Sequence, residues 1–86
     1  MAIDQDFEAA QAEVKTLVST PENDQLLELY ALYKQGTLGD CDGKRPGMMD
    51  FKGRAKYDAW ATKKGIGKDD AKTKYVALVK KLQSGK

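Results

Sequence analysis

The sequence predicts an all-α domain built from four helices. Apolar residues recur every three or four positions in four separate stretches, a spacing that places them on one face of a helix. No stretch alternates apolar and polar residues with the period of two that is typical of a β-strand. Glycine and proline separate the four stretches, at Pro21, within residues 36–50, and at Gly65 and Gly67.

The first two helices follow from apolar stripes and a proline break. The first stripe consists of Phe7, Ala10, Val14 and Leu17. Because proline disfavours helical geometry in the preceding residue, we expect Thr20 to cap a second helix over residues 21–36. The apolar surface of that helix is broad and consists of Leu26, Leu27, Leu29, Tyr30, Leu32 and Tyr33. Either the helix is heavily packed, or part of this surface contacts a ligand.

A long loop is predicted between the second and third helices. It spans residues 36–50 and contains four glycines and one proline, which exclude a regular element. Loops of this length are often functional. The run Asp40-Cys41-Asp42-Gly43 is similar to the start of a calcium-binding loop, but Phe51 stands where the twelfth position requires glutamate. We therefore expect no metal site.

The third and fourth helices follow from the same reasoning. Asp50 is expected to cap the third helix, which runs to about Lys64. Its packed face is predicted to contain Phe51, Ala55 and Ala59. Gly65 ends this helix, and Gly67 precedes a fourth helix whose apolar stripe consists of Ala71, Tyr75, Leu78 and Leu82.

Composition excludes several classes of function. The apolar fraction of 41% and the charged fraction of 33% are typical of a soluble globular protein. The chain contains no histidine, so a Ser-His or Cys-His nucleophile cannot be assembled, and we do not expect an enzyme. A single cysteine, Cys41, and an N-terminus without the features of a signal peptide predict a cytoplasmic location.

Charge is distributed unevenly along the chain. Residues 1–43 hold two lysines and nine acidic residues, a net charge of −7. Residues 44–86 hold thirteen basic and four acidic residues, a net charge of +9. Two interpretations are open: the halves attract each other and keep the protein soluble, or the surplus positive surface attracts an anionic ligand.

A cluster of aromatic and basic side chains is the strongest functional signal. Tyr30, Tyr33 and Lys34 share one side of the second helix, where two phenol rings and an ammonium group would suit a phosphorylated aromatic ligand. Lys56, Tyr75 and Lys15 are further candidates. The alternative is ordinary structure: the tyrosines pack in the core and the lysines are solvated.

Two sequence blocks carry a resemblance to a known family. The stretch from Leu26 to Asp40, with Tyr30, Tyr33, Lys34, Gln35 and Thr37, resembles the YxxYKQAT-x-GD signature of the acyl-CoA-binding protein (diazepam-binding inhibitor) family. The stretch from Arg45 to Trp60 is similar to the second block of that family, RPGxxDxxxxxKWxAW. The resemblance covers essentially the whole chain and implies one acyl-CoA-binding domain over residues 1–86.

The resemblance implies a fold and a ligand. The fold is a four-helix up-down-down-up bundle with a long loop between helices two and three. The ligand is a medium- or long-chain fatty acyl-CoA ester, about one per protein, carried and pooled inside the cell by a monomer. No cofactor is implied, and contacts with membranes or acyl-CoA-using enzymes would be transient.

Site residues are implied position by position. Tyr30, Lys34 and Lys56 match the residues that hold the 3′-phosphate of CoA, and Tyr33 matches an aromatic residue beside the adenine. Tyr75 matches a nucleotide contact on helix four, and Lys15 matches a basic residue near the head group. Leu26 and Leu27 match apolar positions that line the acyl channel. The chain departs from the usual family pattern at Gln11, Thr20, Gly36 and Tyr57.

Two other classes of function remain open from the residues alone. A basic helical module could bind nucleic acid through helix three, which predicts steeply salt-dependent binding. A protein-interaction module could use the apolar surface of helix two. The family resemblance implies no nucleic-acid partner.

Overall fold

The computed structural model describes residues 2–17 and 21–84, which form four α-helices. Helix α1 spans Ala2–Val14, α2 spans Asn23–Leu38, α3 spans Phe51–Ala61 and α4 spans Lys68–Ser84. These ranges contain no strand, so the predicted all-α fold is confirmed. None of the described helices combines the length and the apolar character needed to cross a membrane.

The core lies where α4 packs against both α1 and α2. Helix α2 packs in turn against α3 on its other side. The buried cluster takes two residues from α1, two from α2 and three from α4: Phe7, Ala10, Leu29, Leu32, Ala71, Tyr75 and Val79. Four of the eight residues in the apolar stripes predicted for α1 and α4 belong to this cluster, and three others, Val14, Leu78 and Leu82, are partly buried against it. The eighth, Leu17, lies beyond the end of α1.

Helix α2 begins and ends two residues later than predicted. It begins at Asn23 because Glu22 is the N-cap, and the Glu22 backbone N–H donates to Gln25 Oε1 at 3.0 Å. Thr20, the predicted cap, lies outside the described residues. The helix passes through Gly36 and ends at Leu38, where Gly39 adopts a φ of 88°, a left-handed conformation that favours glycine.

Gly36 permits a close approach between α2 and α4. A Cβ atom at this position would lie 3.0 Å from Lys72 Cγ and 3.5 Å from Phe7 Cζ. The glycine is buried inside α2, and its neighbours leave little room for a side chain. The sequence interpretation of Gly36 as the start of the loop was therefore wrong.

Helix α3 is shorter and more exposed than predicted. It ends at Ala61, with Thr62 as its C-cap, and a turn leads from there to Gly65, whose φ is 93°. Asp50 caps the helix as predicted, because its carboxylate accepts the Gly53 N–H at 2.9 Å. The prediction of Phe51 as a packed residue is wrong: 76% of its surface is exposed. Among the described helices α3 packs mainly on α2, so its first residue is left uncovered.

A hydrogen-bond cluster around one buried glutamine fixes the start of the long loop. Gln35 is fully buried, and its Nε2 donates to Asp40 Oδ1 at 2.8 Å and to the Ile66 carbonyl oxygen at 2.7 Å. Asp40 Oδ1 also accepts the backbone N–H of Gly65 at 2.8 Å. These four residues, the Gln35 cluster, join the end of α2, the loop and the turn between α3 and α4.

The rest of the loop follows the surface of α3. Trp60 Nε1 donates to the Gly39 carbonyl oxygen at 2.9 Å, and the Tyr57 hydroxyl donates to the Gly43 carbonyl oxygen at 3.2 Å. Arg45 forms two parallel hydrogen bonds with Asp58, from Nε at 2.9 Å and from Nη2 at 2.6 Å. The loop is therefore anchored at three points although it has no regular structure.

Replacement of Gln35 should destabilise the fold strongly. Gln35→Ala removes two hydrogen bonds in a buried position and leaves the Ile66 carbonyl oxygen without its donor. We expect a loss of about 1–3 kcal/mol in the free energy of unfolding, measured by urea denaturation. Gln5→Ala, at an exposed position of α1, is the matched control and should change stability by less than about 0.5 kcal/mol. Equal stability of the two variants would contradict a structural role for the cluster.

The Gln35 cluster should also make stability depend on acid pH. The Gly65 N–H, followed by the Gln35 amide, holds the pKa of the Asp40 carboxyl below its usual value. A lowered pKa favours the charged form in the folded state, so this stabilisation is complete at neutral pH and is lost as the pH falls below about 4. Urea denaturation at several pH values should show Asp40→Asn less stable than the wild type at pH 7, with a difference that shrinks in acid. Asp42→Asn, in the same loop, should show no such convergence.

Candidate functional site

Four side chains from two helices meet at the surface between α2 and α3. Tyr30 and Lys34 lie one turn apart on α2, and Lys56 and Trp60 lie one turn apart on α3. Lys34 Nζ lies 5.7 Å from the centre of the Tyr30 ring and 5.8 Å from that of the Trp60 ring. Lys56 Nζ lies 5.4 Å from the centre of the Tyr30 ring. We call these four residues the lysine–aromatic cluster.

The lysine–aromatic cluster favours an anionic ligand. The Lys34 and Lys56 ammonium groups lie 5.7 Å and 5.4 Å from the centre of the same phenol ring. In the described ranges no carboxylate forms an ion pair with Lys34 or Lys56. A phosphate could accept hydrogen bonds from both ammonium groups. No set of three side chains positioned to hold a metal ion occurs in the same ranges.

Contacts outside the cluster set the position of α3 against α2. Lys63, in the turn just beyond α3, forms an ion pair with Glu28 of α2 at 2.6 Å. The Trp60 indole N–H is held by the Gly39 carbonyl oxygen just beyond α2. Both bonds join the two helices without using Lys34 or Lys56, so the two lysines remain available for a ligand.

A second aromatic group lies where α1, α2 and α4 meet. The Phe7 ring centre lies 6.0 Å from that of Tyr33 and 5.1 Å from that of Tyr75, and the two tyrosine rings are 6.5 Å apart. Tyr75 is a core residue with 5% of its surface exposed, whereas Tyr33 is 37% exposed. Burial, followed by the neighbouring Tyr33, raises the pKa of Tyr75.

This aromatic group adjoins the lysine–aromatic cluster along α2. Tyr33 follows Tyr30 by three residues, so the two rings project from the same side of the helix. Tyr75 is therefore both a packing residue and a neighbour of the exposed Tyr33 ring. Tyr75 is thus a core residue, Tyr30 is half-buried and Tyr33 is exposed, and the ligand-binding roles of all three tyrosines stay predictions.

Of the three remaining predicted residues, Leu26 and Leu27 lie near the lysine–aromatic cluster on α2, and Lys15 lies on another part of the chain. Leu26 is 41% exposed and Leu27 is partly buried, and both precede Tyr30 by one helical turn. They extend the surface of α2 with apolar side chains. Lys15 is exposed just beyond the end of α1, and none of its described contacts joins it to the cluster. The role predicted for Lys15 stays a prediction.

Two residues of the site were not singled out from the sequence as functional. Trp60 contributes one of the two rings near Lys34, and its position one turn from Lys56 was a visible signal. Gln35 is buried directly after Lys34 and fixes the end of α2. The spacing of apolar residues cannot indicate a buried glutamine, because it gives no information on polar side chains whose hydrogen-bond partners lie far along the chain.

Comparison with known proteins places this chain within a family. Residues 4–79 match the family model described as Acyl CoA binding protein. The chain belongs to the acyl-CoA-binding protein family. The resemblance of the two sequence blocks to this family is therefore confirmed.

Relatives of similar length support the same membership. The chain is 59% identical over 76 residues to Acyl-CoA-binding protein homolog 1 of Caenorhabditis elegans, with 88% of each chain covered. It is 51% identical over 76 residues to the acyl-CoA-binding protein of Dictyostelium discoideum, with 88% of this chain and 90% of the relative covered.

Solved structures of the family share the fold. The crystal structure of Oryza sativa Acyl-CoA-Binding Protein 2 matches with a TM-score of 0.89 at 40% identity, covering 93% of this chain and 89% of that one. The solution structure of the acyl CoA binding protein from Babesia bovis matches with a TM-score of 0.78 at 37% identity, covering 95% and 93%. The four-helix up-down-down-up bundle with its long second loop is thereby confirmed.

Proposed function

We propose that the protein binds medium- and long-chain fatty acyl-CoA esters and acts as an intracellular acyl-CoA carrier and pool former. The observation that carries this proposal is the convergence of two ammonium groups from separate helices on the Tyr30 ring. Family membership supports it, because the relatives named above are acyl-CoA-binding proteins.

The polar part of the ligand would lie on the lysine–aromatic cluster. In this proposal Tyr30, Lys34 and Lys56 hold the 3′-phosphate of CoA, since charged donors form strong hydrogen bonds to phosphate oxygens. Trp60 and Tyr30 confine the two ammonium groups by cation–π contacts.

The adenine would lie beside Tyr33, the exposed member of the second aromatic group. Its ring offers a flat surface for stacking, and Tyr75 of α4, whose ring centre lies 6.5 Å from that of Tyr33, would contact the nucleotide beside it. Lys15 would contact the head group from the end of α1.

The acyl chain would lie along the apolar part of α2 that begins at Leu26 and Leu27. Removal of a methylene from water is worth about 0.8 kcal/mol, so a sixteen-carbon chain offers at most about 12 kcal/mol before ordering costs. Affinity should therefore rise with chain length until the apolar surface is covered. The head group supplies discrimination, because a free fatty acid lacks both the phosphate and the adenine.

The proposed role involves binding and no chemical step. The chain lacks histidine, the commonest general base, and the lysine–aromatic cluster offers two ammonium groups, one phenol and one indole for binding. We propose a monomer that binds one ligand in the cytoplasm, without a cofactor and without a nucleic-acid partner. Transfer to membranes or to acyl-CoA-using enzymes would then require only dissociation of the ligand.

Calorimetry with three ligands tests the proposed function. Palmitoyl-CoA should bind with a stoichiometry of one, CoA should bind more weakly because it lacks the acyl chain, and palmitate should bind far more weakly because it lacks the head group. Palmitate as tight as palmitoyl-CoA would refute the head-group model. A gel shift at low salt serves as control, and a retarded oligonucleotide band would favour the nucleic-acid alternative.

Substitution of the two lysines tests the phosphate site. Lys34→Ala and Lys56→Ala should each weaken palmitoyl-CoA binding by about 10- to 150-fold, the equivalent of one charge-assisted hydrogen bond. Lys80→Ala, an exposed lysine of α4, makes the same change in net charge and should leave affinity almost unchanged.

A ligand without the 3′-phosphate sharpens that test. Palmitoyl-3′-dephospho-CoA should bind the wild type more weakly than palmitoyl-CoA, and Lys34→Ala should lose little further affinity for it. If the loss of affinity from the missing 3′-phosphate and the loss from Lys34→Ala simply add, Lys34 does not contact the 3′-phosphate. Urea denaturation of each variant separates a binding defect from a folding defect.

A further inference from the structure

The most exposed large apolar side chains of the described ranges lie just before and at the start of α3. Met48 and Met49 are 76% and 87% exposed, and Phe51 is 76% exposed. We call these three residues the apolar tip. Exposure of several large apolar side chains at one place marks an interaction site more often than a neutral surface.

The backbone holds the apolar tip in a defined shape. The Asp50 N–H donates to the Gly47 carbonyl oxygen at 3.0 Å, which closes a four-residue turn with Met48 and Met49 at its two central positions. The Asp50 carboxylate in turn caps α3 at the Gly53 N–H. The three apolar side chains therefore project from a turn and a capped helix end, not from an unconstrained segment.

Basic residues surround the apolar tip on both sides. Residues 44–56 carry five positive charges and one negative charge, a net charge of +4. The basic flank consists of Lys44, Arg45, Lys52 and Arg54, and the fifth positive residue, Lys56, belongs to the lysine–aromatic cluster. The single acidic residue, Asp50, uses its carboxylate for the helix cap, and Arg45 is paired with Asp58. The flank therefore keeps a positive surplus around the three apolar side chains.

We propose that the apolar tip and its basic flank dock the protein on an anionic phospholipid surface. Apolar side chains would enter the boundary between head groups and acyl chains while lysines and arginines contact the anionic head groups, a combination typical of interfacial binding. A nucleic acid would use the positive charge but not the exposed methionines. The docking would extend the proposed function, and its biological use rests on that function. The apolar tip lies at the start of α3, the helix that also carries Lys56.

Co-sedimentation with vesicles tests the docking. Vesicles of phosphatidylcholine alone are compared with vesicles that also contain phosphatidylserine, in the absence of acyl-CoA. The wild type should bind the anionic vesicles, less tightly at high salt, and the triple variant Met48→Ser, Met49→Ser, Phe51→Ser should bind at least about 10-fold more weakly. Leu38→Ser, which removes another exposed apolar side chain, is the matched control and should bind like the wild type.

A second pair of variants tests the charge. Lys44→Gln with Lys52→Gln should weaken binding to the anionic vesicles, whereas Lys74→Gln with Lys80→Gln on α4 should have a smaller effect at the same net charge. Equal losses in the two charge variants would overturn the proposal, because they would indicate attraction by total charge alone.

Further outcomes separate this proposal from the others. Vesicle binding that survives the triple variant, or no binding by the wild type, overturns it. A wild-type dimer that the triple variant converts to a monomer in analytical ultracentrifugation would assign the tip to a second copy and would also overturn it. Calorimetry should show unchanged palmitoyl-CoA affinity in the triple variant. If the wild type does not bind palmitoyl-CoA, the proposed function is refuted, whatever the result with vesicles.

Discussion

The arrangement of the site depends on the buried side-chain amide of Gln35. Its Nε2 meets two oxygen acceptors, one in the loop at Asp40 and one beyond α3 at Ile66. Lys34 directly precedes Gln35, so the bonds that fix the glutamine also fix the rotation of the last turns of α2 around the lysine. The Lys63–Glu28 ion pair and the hydrogen bond from Trp60 to the Gly39 carbonyl oxygen complete this constraint, because they hold α3 against α2.

The broad apolar surface of α2 has two uses. Leu29 and Leu32 belong to the core, whereas Leu26 and Tyr33 remain substantially exposed on the side of the helix that carries Lys34. Apolar area left in water contributes nothing to folding, so a chain of 86 residues gives up part of its limited burial at this surface. Burial of an acyl chain and an adenine ring would recover part of that free energy on binding. This is consistent with a binding protein that is less than optimally stable without its ligand.

Local relations in the chain were predictable and long-range relations were not. The spacing of Tyr30 and Lys34 places them on one helix side wherever the helix lies, so half of the cluster follows from the sequence alone. The approach of Lys56 required the family resemblance, because no spacing relates residues on different helices. Gly36 was misread as a helix end since a glycine that admits a neighbouring helix and one that ends a helix look alike in a sequence. Phe51 was misread because an apolar stripe does not tell how far its partner helix extends.

The uneven charge of the chain has a structural and a functional part. Lys63 pairs with Glu28 and Lys72 with Asp4, so two bridges join the basic second half to the acidic first half. The attraction between the halves is therefore real, although partly exposed pairs contribute little to stability. Lys56 takes no part in these bridges and instead faces an aromatic ring. Within residues 2–17 and 21–84, ion pairs neutralise Lys63 and Lys72 and leave Lys34 and Lys56 beside Tyr30 without one, so an anion bound there would balance part of the surplus positive charge.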